Sequence, residues 1–385
     1  MKAVLLISVG LLAGAVPSAA QFLPCAADTH LIRKGDFLNG TTTVVDSGVW
    51  EWEIGSGNTY TNIQGISADG LFYATVPTSN PAYALGAFDT VNLIVGRLST
   101  VLPGPPPTMQ RPYAQEVEML FDACAFNPAD YGLAPGAAEQ PESSAYCTLG
   151  TQFYARWLIQ YPDPHDLADY YINLRKSLSG WDLAAHVRAA RLAGFDVYSV
   201  GIVEQLLARR VDWEHVLYGG WDYTESSWGA LLRAMLELHA AGSLPPALYA
   251  DALAMADLLI AAQAGDGSWG GGDFQATSYA ILGLRADPWN FTLPWQQAII
   301  EGVDFLHATV SAGPTCGWSY PPEYGEMNSE AIAALAVVQS LPFVDGFETA
   351  DTSAWSDEVL ALLAPVDLQV VSRSVAPPPL AVPFR

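Results

Sequence analysis

The residues best suited to chemistry in this sequence are carboxylic acids at the starts of helices that we predict to be buried. Four are candidate catalytic residues: Asp222, Glu225, Asp273 and Glu330. Glu225 and Glu330 could form an acid and base pair acting on a glycosidic or uronic substrate if burial keeps one of them protonated. Helix capping, in which the side-chain oxygen accepts from free backbone N–H groups, explains the same positions without catalysis and is the favoured interpretation.

A second set of side chains is placed to line a cavity between those helices. Aromatic faces stack on sugar rings and on isoprenoid chains alike, so they do not distinguish the two ligands. His186 lies one turn into a buried helix and could act as a base, although a core or surface histidine whose hydrogen bonds are already made is the favoured interpretation. The candidate ligand-binding residues are Gln64, Tyr154, His186, Trp228, Gln275, Tyr279 and Asn328.

The motifs of several common chemistries are absent from the sequence. It contains no Cys-x-x-Cys or His-x-x-x-His spacing for a metal, no glycine-rich phosphate loop and no nucleophile elbow. The loop between Asp266 and Asp273 carries two carboxylates but lacks the oxygen spacing of a calcium loop. We therefore predict neither a metal nor a cofactor.

Composition restricts the class of partner. Of the 385 residues, 51% are hydrophobic and 15% charged, which is typical of a folded chain. Acidic residues number 40 against 16 Lys and Arg, for a net charge of −24. Phosphate backbones and anionic lipids both require a basic surface. We expect no nucleic-acid partner, and we expect a monomer.

The N-terminus has the pattern of a secretory signal peptide. Lys2 precedes an apolar run over 3–16, and small residues follow up to Ala20. The run is shorter than the ~20 residues that a membrane-spanning helix needs, and no later stretch is long and uncharged enough. We predict cleavage after Ala20 and a secreted or periplasmic protein without a membrane span.

The cysteines of the exported chain are Cys25, Cys124, Cys147 and Cys316. An even number in an oxidising compartment predicts disulfides, and three connectivities are possible. We favour Cys124 with Cys147 and Cys25 with Cys316. The second pair requires the two ends of the chain to meet.

The sequence repeats a helical hairpin. Four tryptophans, spaced 40, 48 and 49 residues apart, lie in turns that contain glycine or serine: Trp181, Trp221, Trp269 and Trp318. Each turn precedes a stretch of small apolar residues, which predicts a helix buried on all sides, and amphipathic helices lie between these stretches. We expect each tryptophan to attach its turn to the neighbouring hairpin.

Weaker copies of the repeat lie upstream. A buried helix begins at residue 64 and is followed by an outer helix over 81–98, and a second buried helix over 144–160 has an outer partner over 166–178. With the segment 108–126, this gives about twelve helices in six pairs. No polar capping repeat stands at either end, which favours a closed ring over an open solenoid.

This pattern divides the chain into four parts. They are a signal peptide over 1–20, an N-terminal segment over 21–49, the repeat domain over 50–342, and a C-terminal segment over 343–385. The last part contains a short helix that Ser353 caps and a loosely packed tail.

The segment Gln263 to Gly270, Gln-Ala-Gly-Asp-Gly-Ser-Trp-Gly, resembles the glutamine-tryptophan repeat of the squalene cyclase and protein prenyltransferase families. Residues 219–222 and 316–319 are partial copies. The resemblance implies an all-α fold of the (α/α)6 toroid type, with inner and outer helix rings. The chain lacks the Asp-x-Asp-Asp cluster, the zinc ligands and the thioester segment of those families. A segment from Asp345 to Ser356 is similar to one near the ends of exported bacterial proteins.

These observations predict a secreted toroid that binds a glycan or lipid-like small molecule in its central cavity, without cyclase or prenyltransferase activity. Two alternatives stay open. One is an extracellular polysaccharide lyase or hydrolase that uses carboxylates at the rim. The other is a divergent terpenoid cyclase in which Asp222, Asp273 or Glu330 replaces the missing acid cluster.

Overall fold

The computed structural model describes residues 19–33, 48–54, 56, 59–102, 108–109, 111–127, 144–286, 292–310, 316–318 and 324–339. The chain divides into two compact units, Met1–Ser340 and Leu341–Arg385. The second unit lies outside the described residues, as does the expected signal peptide up to residue 18.

The described part of the chain is built from helices, which confirms the all-α class. Its strands form one two-residue antiparallel ladder, Val101–Leu102 with Thr108–Met109. The helices are α1 (Ala19–Arg33), α2 (Gln64–Thr78), α3 (Pro81–Leu98), α4 (Ala114–Ala125), α5 (Ser144–Gln160), α6 (Pro164–Arg175), α7 (Ser179–Leu192), α8 (Asp196–Ala208), α9 (Arg210–Trp213), α10 (Thr224–Ala240), α11 (Pro246–Ala262), α12 (Phe274–Arg285), α13 (Leu293–Thr309) and α14 (Gly325–Gln339).

Helices α2, α4, α7, α10, α12 and α14 contact one another in a cyclic order. Each packs on the next, and α14 packs again on α2. We call these the inner helices. The outer helices α3, α5, α8, α11 and α13 pack on α2, α4, α7, α10 and α12 respectively, and α1 packs on α14 and α2. A cyclic order is what an α/α toroid requires, and the toroid itself stays a prediction.

Glycine lets neighbouring inner helices approach closely. A Cβ atom added at Gly229 of α10 would lie 2.4 Å from the backbone carbonyl of Tyr279 in α12. One added at Gly70 of α2 would lie 2.3 Å from the carbonyl oxygen of Ser329 in α14. Such distances are far inside van der Waals contact, so any side chain would force the helices apart.

Three buried tryptophans attach inner-helix turns to outer helices in the same way. Each donates its indole N–H to a backbone carbonyl in the outer helix before it. The pairs are Trp213 with Leu206 at 3.0 Å, Trp269 with Leu259 at 2.7 Å, and Trp318 with Leu306 at 2.8 Å. The repeat predicted from the sequence includes Trp221 in this set, and this prediction is wrong. Trp221 is 70% exposed, and Trp213 occupies the equivalent position.

The prediction of a buried, inner helix over 144–160 is also wrong. This segment is helix α5, but it packs on α4 and leaves Ile159 85% exposed. The inner position belongs to α4, which lies in the segment 108–126 that the sequence had not assigned to either ring. Its residues Glu116 and Glu118 are buried, because each pairs with an arginine of another helix. Paired charges can be buried, and sequence alone does not reveal the pairing.

Both favoured disulfides are confirmed. Cys25 pairs with Cys316 and Cys124 with Cys147, with Cα–Cα distances of 5.6 and 5.4 Å. The first bond joins α1, which buries Leu23 in the core, to the turn before α14 across 291 residues. Two disulfides are consistent with an oxidising compartment. Within the described residues, no helix combines the length and apolar character needed to cross a membrane.

Candidate functional site

A cavity lies between the inner helices, and all of them contribute to its wall. Its cavity volume is about 30 Å³, and the space between atoms at this place, open solvent included, is about 480 Å³. Apolar residues form much of the wall. Its charged residues are Asp69, Glu118, Arg188, Arg233 and Glu330, and α12 contributes Tyr279. We call this space the inner cavity.

Two arginines of the cavity wall belong to an ion-pair network. Arg188 of α7 contacts Glu118 Oε2 and Glu237 Oε2, each at 2.9 Å. Arg233 of α10 contacts Glu237 Oε1 at 3.0 Å and donates to the hydroxyl of Tyr73 in α2. Burial would raise the pKa of Glu237, but Arg188 and Arg233 outweigh it and lower that pKa to about 2. The network therefore joins α2, α4, α7 and α10 at one side of the cavity.

Glu118 presents an unsatisfied oxygen in this network. The residue is 5% exposed, and its Oε2 contacts Arg188. Its Oε1 has no hydrogen-bond partner among the described residues. Burial raises the pKa of Glu118 to about 7, against the attraction of Arg188 and Arg233. The free oxygen is an acceptor available to a ligand in the cavity.

Asp69 of α2 and Asp122 of α4 form a carboxyl pair beside the network. Burial first, and then the charge of Asp122 and a hydrogen bond with it, raise the pKa of Asp69 well above its ordinary value. A hydrogen bond between two carboxyl groups requires a proton on one of them, and the raised pKa favours the protonated form of Asp69. Asp69 Oδ1 and Asp122 Oδ2 have no other hydrogen-bond partner within the described part of the chain.

Glu330 of α14 lies against α12. Gln275 Nε2 donates to both of its carboxyl oxygens, at 3.1 and 3.0 Å, and Tyr279 hydrogen-bonds to it. Burial, followed by repulsion from Glu326, raises the pKa of Glu330 well above its ordinary value. Glu330 thus keeps its proton to a higher pH than an exposed glutamate would. A neutral carboxyl group can donate a hydrogen bond or a proton.

Tyr279 and Trp181 form the aromatic part of the wall. Their rings meet edge to face with centroids 6.0 Å apart, and the two side chains hydrogen-bond to each other. The backbone N–H of Trp181 donates to Ser227 Oγ at 2.9 Å, which fixes the start of α7 against α10. Trp181 was expected to attach a turn to its neighbour; it lines the cavity instead.

Of the residues singled out from the sequence, the structure brings three together at the cavity. Glu330 and Tyr279 line it, and Gln275 holds Glu330. Glu225 is half-buried in the first turn of α10 and is not among the lining residues. The expected pair of Glu225 with Glu330 is therefore not formed across this cavity, although Glu330 does face other carboxyl groups there.

Four of the candidates bind backbone at helix starts. Asp273 caps α12 by accepting from the N–H of Ala276 at 3.0 Å, and Asp222 accepts from the N–H of Thr224 at 3.0 Å. Gln64 binds both the N–H and the carbonyl of Trp50, at 2.7 and 2.8 Å. Asn328 binds Trp318 in the same manner, at 2.9 and 3.0 Å. These contacts give each side chain a structural role.

The remaining candidates are buried away from the inner cavity. Tyr154 donates to the backbone carbonyl of His186 at 3.2 Å, and His186 Nε2 lies 3.0 Å from the hydroxyl of Tyr171. Burial lowers the pKa of His186 to about 3, so its ring is neutral. Trp228 donates to Glu214 Oε1 at 2.6 Å. None of the three lines the cavity that the described residues enclose.

Sequence reasoning missed Asp69, Glu118, Arg188 and Arg233. For Asp69 and Arg233 the signal is a charged residue between apolar neighbours in the middle of a helix, as in the run Trp-Gly-Ala-Leu-Leu-Arg of α10, whereas Glu118 and Arg188 lie in helices with several charges and give no such signal. Such a residue is costly to bury unless it is paired or functional.

Comparisons with models of known protein families and with characterised proteins give no match for the chain. Within the described residues, no group of three or more His, Cys, Asp or Glu side chains is placed to hold a metal ion.

Proposed function

We propose that this protein is exported, with its signal peptide cleaved after Ala20, and binds a hydroxylated, glycan-type ligand whose hydroxyl groups enter the inner cavity. The proposal includes the (α/α)6 toroid and a relationship to the squalene cyclase and prenyltransferase superfamily without their chemistry. The cyclic contact order of the inner helices supports the toroid. The cavity wall supports the choice of ligand.

The observation that carries the proposal is the unsatisfied acceptor at the cavity, Glu118 Oε1. A buried acceptor without a partner costs about 1–3 kcal/mol, which a ligand that donates hydrogen bonds would recover. Hydroxyl groups are such donors. An isoprenoid chain is not, and it would also leave five charged side chains desolvated. The charged wall therefore favours the glycan over the lipid-like ligand.

The direct test is calorimetry and saturation-transfer NMR with the chain that begins at Gln21. Glucose, xylose, mannose and their short oligomers are the probes, and farnesol is the lipid-like comparison. We expect a neutral saccharide to bind and farnesol not to bind. Binding of farnesol alone, or of no saccharide, would contradict the proposal.

A matched pair of variants locates the binding site. Ala230 of α10 lines the cavity, and Ala240 is exposed at the end of the same helix. Ala230→Leu fills the cavity and should reduce saccharide affinity at least tenfold, whereas Ala240→Leu should leave it unchanged. Overfilling costs about 1–3 kcal/mol of stability, so melting curves of both variants accompany the titrations. Equal affinity in both variants would place the ligand elsewhere.

A second candidate is glycoside hydrolysis or lyase chemistry, which the environment of Glu330 favours. Its raised pKa suits a general acid, and it lies in one cavity with the carboxyl groups of Asp69 and Glu118. Reducing ends and unsaturated products would be followed on neutral and uronic polysaccharides. Glu330→Gln should abolish any activity that Glu225→Gln preserves, and turnover unaffected by Glu330→Gln would exclude this role.

A further inference from the structure

A group of partly exposed aromatic residues contacts the start of α14, the helix that contributes Glu330 to the inner cavity. Its members are Trp52, which is 38% exposed, Tyr60, which is 47% exposed, and the half-buried Tyr324. The ring centroid of Trp52 lies 5.5 Å from that of Tyr60 and 5.3 Å from that of Tyr324. We call this group the Trp52 platform.

Backbone pairing fixes the platform to the start of α14. The carbonyl of Trp52 accepts from the N–H of Gly325 at 2.9 Å, and Glu53 forms an antiparallel bridge with Tyr324. A Cβ atom at Gly325 would lie 2.7 Å from the carbonyl oxygen of Glu51, so this approach needs glycine. The backbone of Trp52 and Tyr324 is thus fixed, and the ring contacts and the hydrogen bond of the Trp52 indole orient the side chains.

A carboxyl group connects the platform to the cavity. The indole N–H of Trp52 donates to Glu326 Oε1 at 3.1 Å. Glu326 and Glu330 lie four residues apart on α14, hence on one face of the helix and about one turn, or roughly 5.4 Å, apart along it. Glu330 lines the inner cavity. The path from platform to cavity therefore runs along one side of α14 and is about as long as one sugar ring.

The chemistry of this path matches a carbohydrate. Aromatic faces take the apolar faces of sugar rings, and neighbouring carboxyl oxygens accept from their hydroxyl groups. Trp52 is oriented by its hydrogen bond to Glu326, so little side-chain entropy is lost when a ring stacks on it. An anionic membrane surface is a poor alternative for exposed aromatics here, because the chain carries a net charge of −24.

We infer that the Trp52 platform is a second saccharide subsite, which stacks the unit of an oligosaccharide adjacent to the unit whose hydroxyl groups enter the inner cavity. This inference rests on the proposed function, since it needs a saccharide in the cavity. It specifies the ligand further: a neutral oligosaccharide of at least two or three units, bound with its chain directed along α14 toward Trp52.

The test measures how affinity depends on oligosaccharide length. The probes are one-, two-, three- and four-unit members of the β-1,4-glucose, β-1,4-xylose and β-1,4-mannose series, titrated by calorimetry. Wild-type affinity should rise with length by about tenfold for at least one series, as expected for one additional stacked ring. In Trp52→Ala this increment should vanish, while affinity for the single sugar stays unchanged.

Two further variants control for folding and for non-specific stacking. Trp52→Phe keeps an aromatic ring but loses the hydrogen bond to Glu326, and it should keep most of the increment. Tyr170→Ala removes another exposed aromatic residue, 44% exposed on the outer helix α6, and should change nothing. Melting curves establish that each variant is folded.

The outcomes separate the subsite from the cavity proposal. If sugars bind, Ala230→Leu weakens them and Trp52→Ala leaves the length dependence intact, the cavity proposal stands and the subsite is wrong. If wild-type affinity does not rise with length, the subsite is also wrong. If no saccharide binds at all, the proposed function fails and the subsite fails with it.

Discussion

Glu237 is the carboxylate on which the buried ion network depends most. It contacts Arg188 at 2.9 Å, Arg233 at 3.0 Å and Arg191 at 3.3 Å. Replacing it with glutamine removes the negative charge but keeps the shape of the side chain. The three guanidinium groups then lose their shared partner, and Arg188 and Arg233 remain mostly buried.

The magnitude follows from the pKa of Glu237. The difference between the ordinary value of 4.5 and about 2 in the folded protein corresponds to about 3 kcal/mol of stabilisation when the group is ionised. Because the Glu237 side chain is 21% exposed, solvent screening lowers this, and we expect Glu237→Gln to cost about 2–3 kcal/mol.

The assay is urea denaturation at pH 7, followed by circular dichroism. Glu225→Gln, on the same helix and outside the network, is the matched control and should change the free energy of unfolding by less than about 0.5 kcal/mol. A folded-state pKa below the unfolded one contributes stability above pH 4.5, which is lost as the pH falls toward 2. The free energy of unfolding of the wild type should therefore approach that of Glu237→Gln as the pH falls across this interval. Equal stability of the two proteins at pH 7 would refute the reasoning.

Three further predictions concern packing and titration. Gly229→Ala should destabilise the protein by about 2–4 kcal/mol, because its Cβ would meet α12 backbone at 2.4 Å, whereas Gly96→Ala, with open space around it, should be neutral or stabilising in the same urea assay. Trp213→Phe should lower the melting temperature by several degrees through loss of a buried hydrogen bond, and Trp221→Phe should not; equal melting temperatures would contradict the role of Trp213. Burial raises the pKa of Glu118 to about 7, so its protonated form stabilises the fold below pH 4.5, and that contribution is lost as the pH rises through 7. The melting temperature of Glu118→Gln should vary less between pH 5 and 8 than that of the wild type; parallel profiles would show that Glu118 does not titrate in this range.

The local sequence pattern was sufficient to predict a helix wherever the interactions that define the helix lie within one segment. The prediction of a helix over 81–98 matches α3, with Pro81 in its first turn and Asn80 accepting from the N–H of Ala82. Helix α5 likewise spans the predicted 144–160. Proline, capping residues and apolar spacing act between near neighbours in the chain, so they can be read from it.

The candidate site was predicted only in part, because its interactions join segments that are distant in the chain. Glu330 and Tyr279 were found because they lie near the starts of recognisable buried helices. Glu118 and Arg188 were missed because each looks like a surface residue until the other is placed beside it, at 2.9 Å. The assignment of Trp221 to the repeat failed in the same way, since the acceptor that Trp213 binds is a carbonyl of another helix.

The sequence by itself determined that the chain is helical, where most helices begin, and which cysteines were favoured to pair. These follow from periodicity, capping and cysteine count, which require no knowledge of neighbours in space. Only the tertiary structure decided which helices are inner, that α4 is among them, and that Asp69, Glu118, Arg188 and Arg233 face one cavity. The physical reason is that a charge can be buried only where an opposite charge or a shared proton meets it, and those partners come from helices distant in the chain.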